Sequence, residues 1–145
     1  MIEVRFIRTK GLIPKLIRWF TWSKWNHVDI CVNNKWYAST RQKGVHRSDL
    51  VDQNQLWFEV YPIYNTEEQT EATETFLNSQ MNKGYDWLGI FGFIIRKNLE
   101  NKDKWFCSEL VAAALNHAGY KFEDPFKISP AKLYEILVTT NYYHK

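Results

Sequence analysis

Two of the 145 residues are cysteines, Cys31 and Cys107, and four are histidines, His27, His46, His117 and His144. A cysteine paired with an imidazole base can attack an amide or ester carbonyl. Cys107 stands at the head of an apolar stripe, Leu110, Val111, Ala114, Leu115 and Ala118, which Gly119 closes. That spacing predicts a helix over Cys107–Ala118 with the thiol in its first turn. Free N–H groups and the positive end of the helix dipole favour a thiolate there. Thiol pKa values at such positions fall to about 3.5–7.5 when a cationic partner helps. The other reading of Cys107 is a small apolar side chain that only packs. Cys31, inside a predicted strand, is read in that second way.

The base has to come from another element. His117 is ten residues along the same helix, which is roughly 15 Å of axial rise. His144 belongs to the terminal tail. His46, in a short polar extended segment, and His27, at the start of a predicted strand, remain. Strand alternation puts His27, Asp29 and Cys31 on one face and Val28, Ile30 and Val32 on the other. Asp29 is therefore either a partner of the His27 ring or a carboxylate facing solvent.

The elements that must position these groups follow from the same patterns. Ile2–Arg8 reads as a strand. Leu12–Trp22 reads as an amphipathic helix with Pro14 in its first turn. His27–Asn33 and Lys35–Thr40 read as a hairpin turning at Asn33-Asn34, since asparagine tolerates positive φ. A short extended piece starts at Gly44-Val45, and Leu56–Tyr61 is a strand ended by Pro62. Thr66-x-x-Gln69 is a capping box for a helix carrying Ala72, Phe76, Leu77 and Met81, with Gly84 at its C′ position. Asp86 caps a short helix over Trp87–Ile95, and Arg96–Lys104 is a charged linker. After the Cys107 helix, Ser129 as N-cap and Pro130 at N1 start a last helix to about Leu137. A helix and strands first and helices afterwards predict an α+β fold, and residues 1–145 a single domain.

Composition bounds the functions. A chain of 17.4 kDa with 45% hydrophobic and 24% charged residues has the make-up of an ordinary globular domain. Two cysteines build neither a disulfide framework nor a Cys-rich zinc site, and no cofactor is expected. The longest nearly apolar stretch, Trp87–Ile95, is far short of the ~20 residues of a membrane span. Glu3, Arg5, Arg8 and Lys10 break up any signal-peptide pattern, so the chain is expected to be cytoplasmic when made. The net charge of +3 is spread along the chain rather than clustered, which argues against nucleic acid as a partner. The excess is in rings: 7 Trp, 8 Tyr and 9 Phe. Rings of that size fill cores and also line binding sites.

In order along the chain, these residues form a pattern. Ile17-Arg18-Trp19 leads into Trp25-Asn26-His27-Val28-Asp29, followed by Gly44-Val45 and Gly84-Tyr85-Asp86-Trp87. Phe106-Cys107-Ser108-Glu109-Leu110-Val111 and Ile128-Ser129-Pro130 with Leu133 complete it. The chain resembles the circularly permuted NlpC-type papain-like cysteine amidases, the YiiX-like group, and especially their phage-encoded members. The Phe-Cys-Ser-Glu-Leu string downstream of a His-Val strand is its most specific part. The resemblance implies a permuted papain-like fold, with an antiparallel sheet or half-barrel packed against helices. It implies Cys107 as nucleophile, His27 as base and Tyr85 as a hydrogen-bond donor to the developing oxyanion. Many members carry an acidic or polar residue on the next strand to orient the imidazole. Ser39 is the nearest equivalent here, and Asp29 is the alternative. Trp25, Trp105 and Ser108, beside the histidine and the cysteine in sequence, are assigned to substrate binding.

The implied reaction is hydrolysis of amide bonds in peptidoglycan peptides or related small amides. An acyltransferase or thioesterase acting on lipid-like substrates would use the same pair. A non-catalytic virion or interaction protein with a vestigial site is the third reading. The implied partner is a peptide or acyl small molecule, with cell-wall fragments as one source. A phage-encoded protein would be virion-associated. The oligomeric state is left open.

Overall fold

In the first strand, β1 (Ile2–Thr9), alternate residues face opposite sides of the sheet, and both sides are largely buried. β2 (His27–Val32) runs antiparallel to it, with Ile2 opposite Val32, Val4 opposite Ile30 and Phe6 opposite Val28. These six apolar side chains are fully buried and join one cluster with Leu110, Leu115 and Leu133 of the helical layer. The other face of the same two strands carries Arg5 opposite Asp29 and Ile7 opposite His27. The computed structural model describes residues 1–10, 15, 24–48, 55–86 and 103–143. The helices expected over Leu12–Trp22 and Trp87–Ile95, and His144, lie outside the described residues.

β3 (Lys35–Thr40) follows β2 through the Asn33-Asn34 turn. Both asparagines have positive φ, 50° and 62°, which matches the twist of a two-residue hairpin. β4 (Gly44–Arg47) and β5 (Gln55–Ile63) complete an antiparallel sheet of order β4-β3-β2-β1-β5. β5 runs through Pro62 rather than ending at it. Among the described residues β5 is an edge strand, where a residue without an N–H is tolerated.

Helix α1 (Glu67–Gln80) starts at the expected capping box. Thr66 Oγ1 accepts from Gln69 N at 3.2 Å, and Gln69 Oε1 accepts from Thr66 N at 2.8 Å. Its end differs from the expectation. Asn82 takes the positive φ of 67° that Gly84 was expected to supply. Gly84 lies instead in β6 (Gly84–Tyr85), paired in parallel with β7 (Lys104–Trp105), the end of the expected linker. Helix α2 (Cys107–His117) packs on β2, β3 and α1, and α3 (Pro130–Tyr143) packs on α2. A single 3-10 turn, Pro125–Lys127, precedes α3. The architecture is α+β, with three α-helices and a five-stranded antiparallel sheet among the described residues. None of these helices is long and apolar enough to cross a membrane.

Candidate active site

Cys107 is the first residue of α2, after Phe106 in extended conformation (φ −75°, ψ 154°). Phenylalanine has no side-chain acceptor for the helix N-terminus, and polar groups around it hold this end in place. Glu109 Oε2 accepts from Phe106 N at 2.9 Å. Ser39 Oγ donates to the Trp105 carbonyl oxygen at 2.6 Å, tying β3 to the residues that lead into α2. Ser108 Oγ donates to the Ile128 carbonyl oxygen at 2.6 Å, tying the first turn of α2 to the segment before α3. Ser39, Ser108 and Glu109 are all buried, so each contact is made where an unpaired polar group would be costly. Cys107 itself is 1% exposed.

His27 opens β2, and its ring lies within interaction range of the Cys107 thiol. Its Nε2 is 2.6 Å from Asp29 Oδ1, and the side chain is 19% exposed. Asp29 Oδ2 accepts from Arg5 Nη2, also at 2.6 Å, with both side chains almost fully buried. The Arg5 guanidinium carbon lies 4.2 Å from the centroid of the Trp36 ring, a cation–π distance. One carboxylate thus accepts a hydrogen bond from a guanidinium on one oxygen and lies at ion-pair distance from an imidazole, without hydrogen-bond geometry, on the other.

The charges follow from that arrangement. Burial opposes the charged form of His27, but Asp29 and then Cys107 outweigh it and hold the imidazole well above its ordinary value. Burial likewise opposes the Asp29 carboxylate, and His27 and Arg5 together bring it below the usual value. The Tyr85 hydroxyl is pushed upward, by burial first and then by electrostatic interaction with Cys107, Glu109 and Asp86. It therefore stays protonated and able to donate. Its ring meets Phe106 edge to face at 5.7 Å, which puts Tyr85 beside the start of α2. A thiol at a helix N-terminus, a proton-holding imidazole, an ionised carboxylate and a phenol donor are the groups acyl transfer to sulfur needs.

The structure therefore brings Cys107, His27, Asp29 and Tyr85 together. The remaining candidates make contacts of their own. Ser39 anchors the Trp105 carbonyl, and the carboxylate beside the imidazole is that of Asp29, on the same strand. Trp25 is 1% exposed and packs against Phe6 and Tyr134, at 6.1 and 5.5 Å between centroids. Trp105 is 6% exposed, stacks on Phe126 at 5.0 Å and donates from Nε1 to Gln80 Oε1. Ser108 is fully buried and engaged by Ile128. All three are buried, as Cys107 is, and Trp25 lies against β1, β5 and α3. His46 Nδ1 lies 2.9 Å from the Gly44 carbonyl oxygen. His117 stacks on Phe76 at 4.7 Å, between α1 and the far end of α2. Cys31 is buried, and burial followed by Glu3 pushes its thiol up.

Two groups at the site went unassigned by sequence reasoning, Arg5 and Glu109. Glu109 carries a readable signal, since it stands three residues after Phe106, the spacing of a capping carboxylate. Arg5 interrupts an apolar strand, but its partner emerges only from the β1–β2 register. Among the described residues no three His, Cys, Asp or Glu side chains are placed to hold a metal ion. The sequence matches no protein-family model and no curated protein.

Proposed function

We propose that this chain is a cysteine hydrolase that cleaves amide bonds, with Cys107 as nucleophile and His27 as base and acid. The observation that carries the reading is the line of contacts running from Arg5 through Asp29 to the His27 ring, beside a thiol at a helix N-terminus. Nε2 is engaged by Asp29, so Nδ1 is the nitrogen left to exchange a proton with sulfur. His27 takes the thiol proton, and the thiolate attacks the amide carbonyl carbon. The oxyanion that forms is met by the Cys107 N–H and the Tyr85 hydroxyl. The C–N bond then breaks, and His27 gives its proton to the leaving amine. Water attacks the thioester with His27 as base, the C–S bond breaks, and the acid product leaves a thiolate beside an imidazolium.

The substrate class, amides of peptidoglycan peptides or related small amides, rests on the resemblance to NlpC-type amidases. So does the permuted papain-like form of the α+β fold. The chain order supports both, because the histidine strand precedes the cysteine helix. The test is incubation with purified cell-wall fragments, read by mass spectrometry. We expect new peptide products with the wild-type chain and none above background with Cys107→Ala, which keeps the fold at a cost of about 1 kcal/mol. Products undiminished in Cys107→Ala would overturn the assignment.

The 1% exposure of Cys107 favours a second reading, a non-catalytic protein in which these residues serve structure. Iodoacetamide labelling of the native chain separates the two. Under the hydrolase reading Cys107 is modified faster than Cys31 at neutral pH. Under the second it is protected until the chain unfolds.

A further inference from the structure

Arg5 is a buried cation with an unusual set of partners. Its Nη2 is 2.6 Å from Asp29 Oδ2, its guanidinium carbon is 4.2 Å from the Trp36 ring, and its buried Nε has no hydrogen-bond partner among the described residues. A buried ion pair is a poor source of stability, because the cost of removing both charges from water offsets their attraction. An incompletely satisfied guanidinium makes that balance worse. Packing alone does not account for a charge at this position, and its electrostatic position does.

The reaction needs His27 to take a proton and then give it back. A carboxylate 2.6 Å from Nε2, unshared and buried, would lock the ring as an imidazolium and make it a slow acid. Arg5 engages the other oxygen of that carboxylate. We propose that Arg5 is a positioning residue that sets how readily His27 releases its proton, by sharing the Asp29 carboxylate through the oxygen the imidazole does not use. Among the described residues, the charged and titratable groups around the ring come from four elements, β1, β2, β6 and α2. Asp29 lies on β2 itself, Arg5 acts from β1 through Asp29, and Cys107 faces the ring from α2, with Tyr85 and Glu109 beyond the thiol. Of these, among the described residues, only Arg5 carries a fixed positive charge, and it opposes the imidazolium alongside burial.

The catalytic meaning of this inference rests on the cysteine-hydrolase reading, but its test does not. The His27 ring is titrated by NMR in protein carrying ring-labelled histidine, in wild type, Arg5→Gln and Arg5→Lys. Glutamine can still donate to Asp29 but lacks the charge. We expect the His27 midpoint to move up by about one pH unit or more in Arg5→Gln, and to stay near wild type in Arg5→Lys. Arg5→Met is the alternative neutral variant if Arg5→Gln does not fold. A midpoint that falls in the neutral variant would mean that Arg5 only holds Asp29 in place. A midpoint that does not move would mean that Arg5 is electrostatically silent at His27. Either result overturns the proposal. Absence of any hydrolysis would count against the proposed function and leave the titration intact. With substrate turnover in hand, the alkaline limb of kcat/KM should move up in Arg5→Gln as the NMR midpoint does.

Discussion

At the scale of single residues, Asp29 is the group on which the site's charges depend. It is 2% exposed and bridges a guanidinium and an imidazole. Asp29→Asn removes the anion and leaves Arg5 as a buried cation without its partner. We expect a loss of about 3–5 kcal/mol in urea unfolding at neutral pH, the usual cost of breaking a buried pair from one side. The pH dependence of stability has a definite sign for each partner. Asp29 is depressed, so its contribution is present above the ordinary carboxylate value and lost as pH falls through the lowered one. His27 is raised, so its contribution is full below the ordinary imidazole value and lost as pH rises through the raised one. Thermal unfolding of the wild type should therefore show highest stability from both sources between those ordinary values. In Asp29→Asn the plot of Tm against pH should flatten on both sides. A Tm profile that keeps its shape in the variant would show that this pair does not govern it.

At the scale of elements, the placement of α2 decides where the thiol sits. Ser39 on β3 reaches the carbonyl of Trp105 across 66 residues of chain, and Glu109 and Ser108 fasten the first turn. Ser39→Ala strips the buried carbonyl of its donor, and we expect a cost of roughly 1–3 kcal/mol in chemical denaturation. The His27 titration should stay at its wild-type midpoint, because this hydroxyl acts on the backbone before Cys107. A change in that midpoint without a loss of stability would reassign Ser39 to the imidazole.

At the scale of the whole molecule, the five-stranded sheet and the small β6–β7 pair meet at one close backbone approach. Val45 N donates to the Lys83 carbonyl oxygen at 2.8 Å, and Asn82 N donates to the Val45 carbonyl oxygen at 2.9 Å. Gly44 makes this contact possible. Its φ is +63°, and a Cβ there would lie 2.2 Å from the Lys83 carbonyl oxygen. Tyr85 follows directly on this junction, so the junction also positions a site residue. Gly44→Ala combines backbone strain with a clash against main chain, and we expect a loss of more than about 1 kcal/mol, read from the urea midpoint. An alanine variant as stable as wild type would mean that the two sheets are not rigidly joined at Gly44.

The sequence by itself determined what is local in this protein. A period of two puts His27 and Asp29 on one face, the apolar stripe after Cys107 makes a helix with the thiol at its head, and Asn33-Asn34 makes the hairpin turn. Each depends on residues a few positions apart, whose relation is set by backbone geometry. The tertiary structure decided what depends on distant chain. Arg5 meets Asp29 only through the β1–β2 register, 24 residues away, and Ser39 meets Trp105 only when β3 packs beside α2. Trp25, Trp105 and Ser108 have the residue types and neighbours of a binding site, yet all three are buried. Periodicity tells which way a side chain points, and only packing tells whether solvent or core lies in front of it.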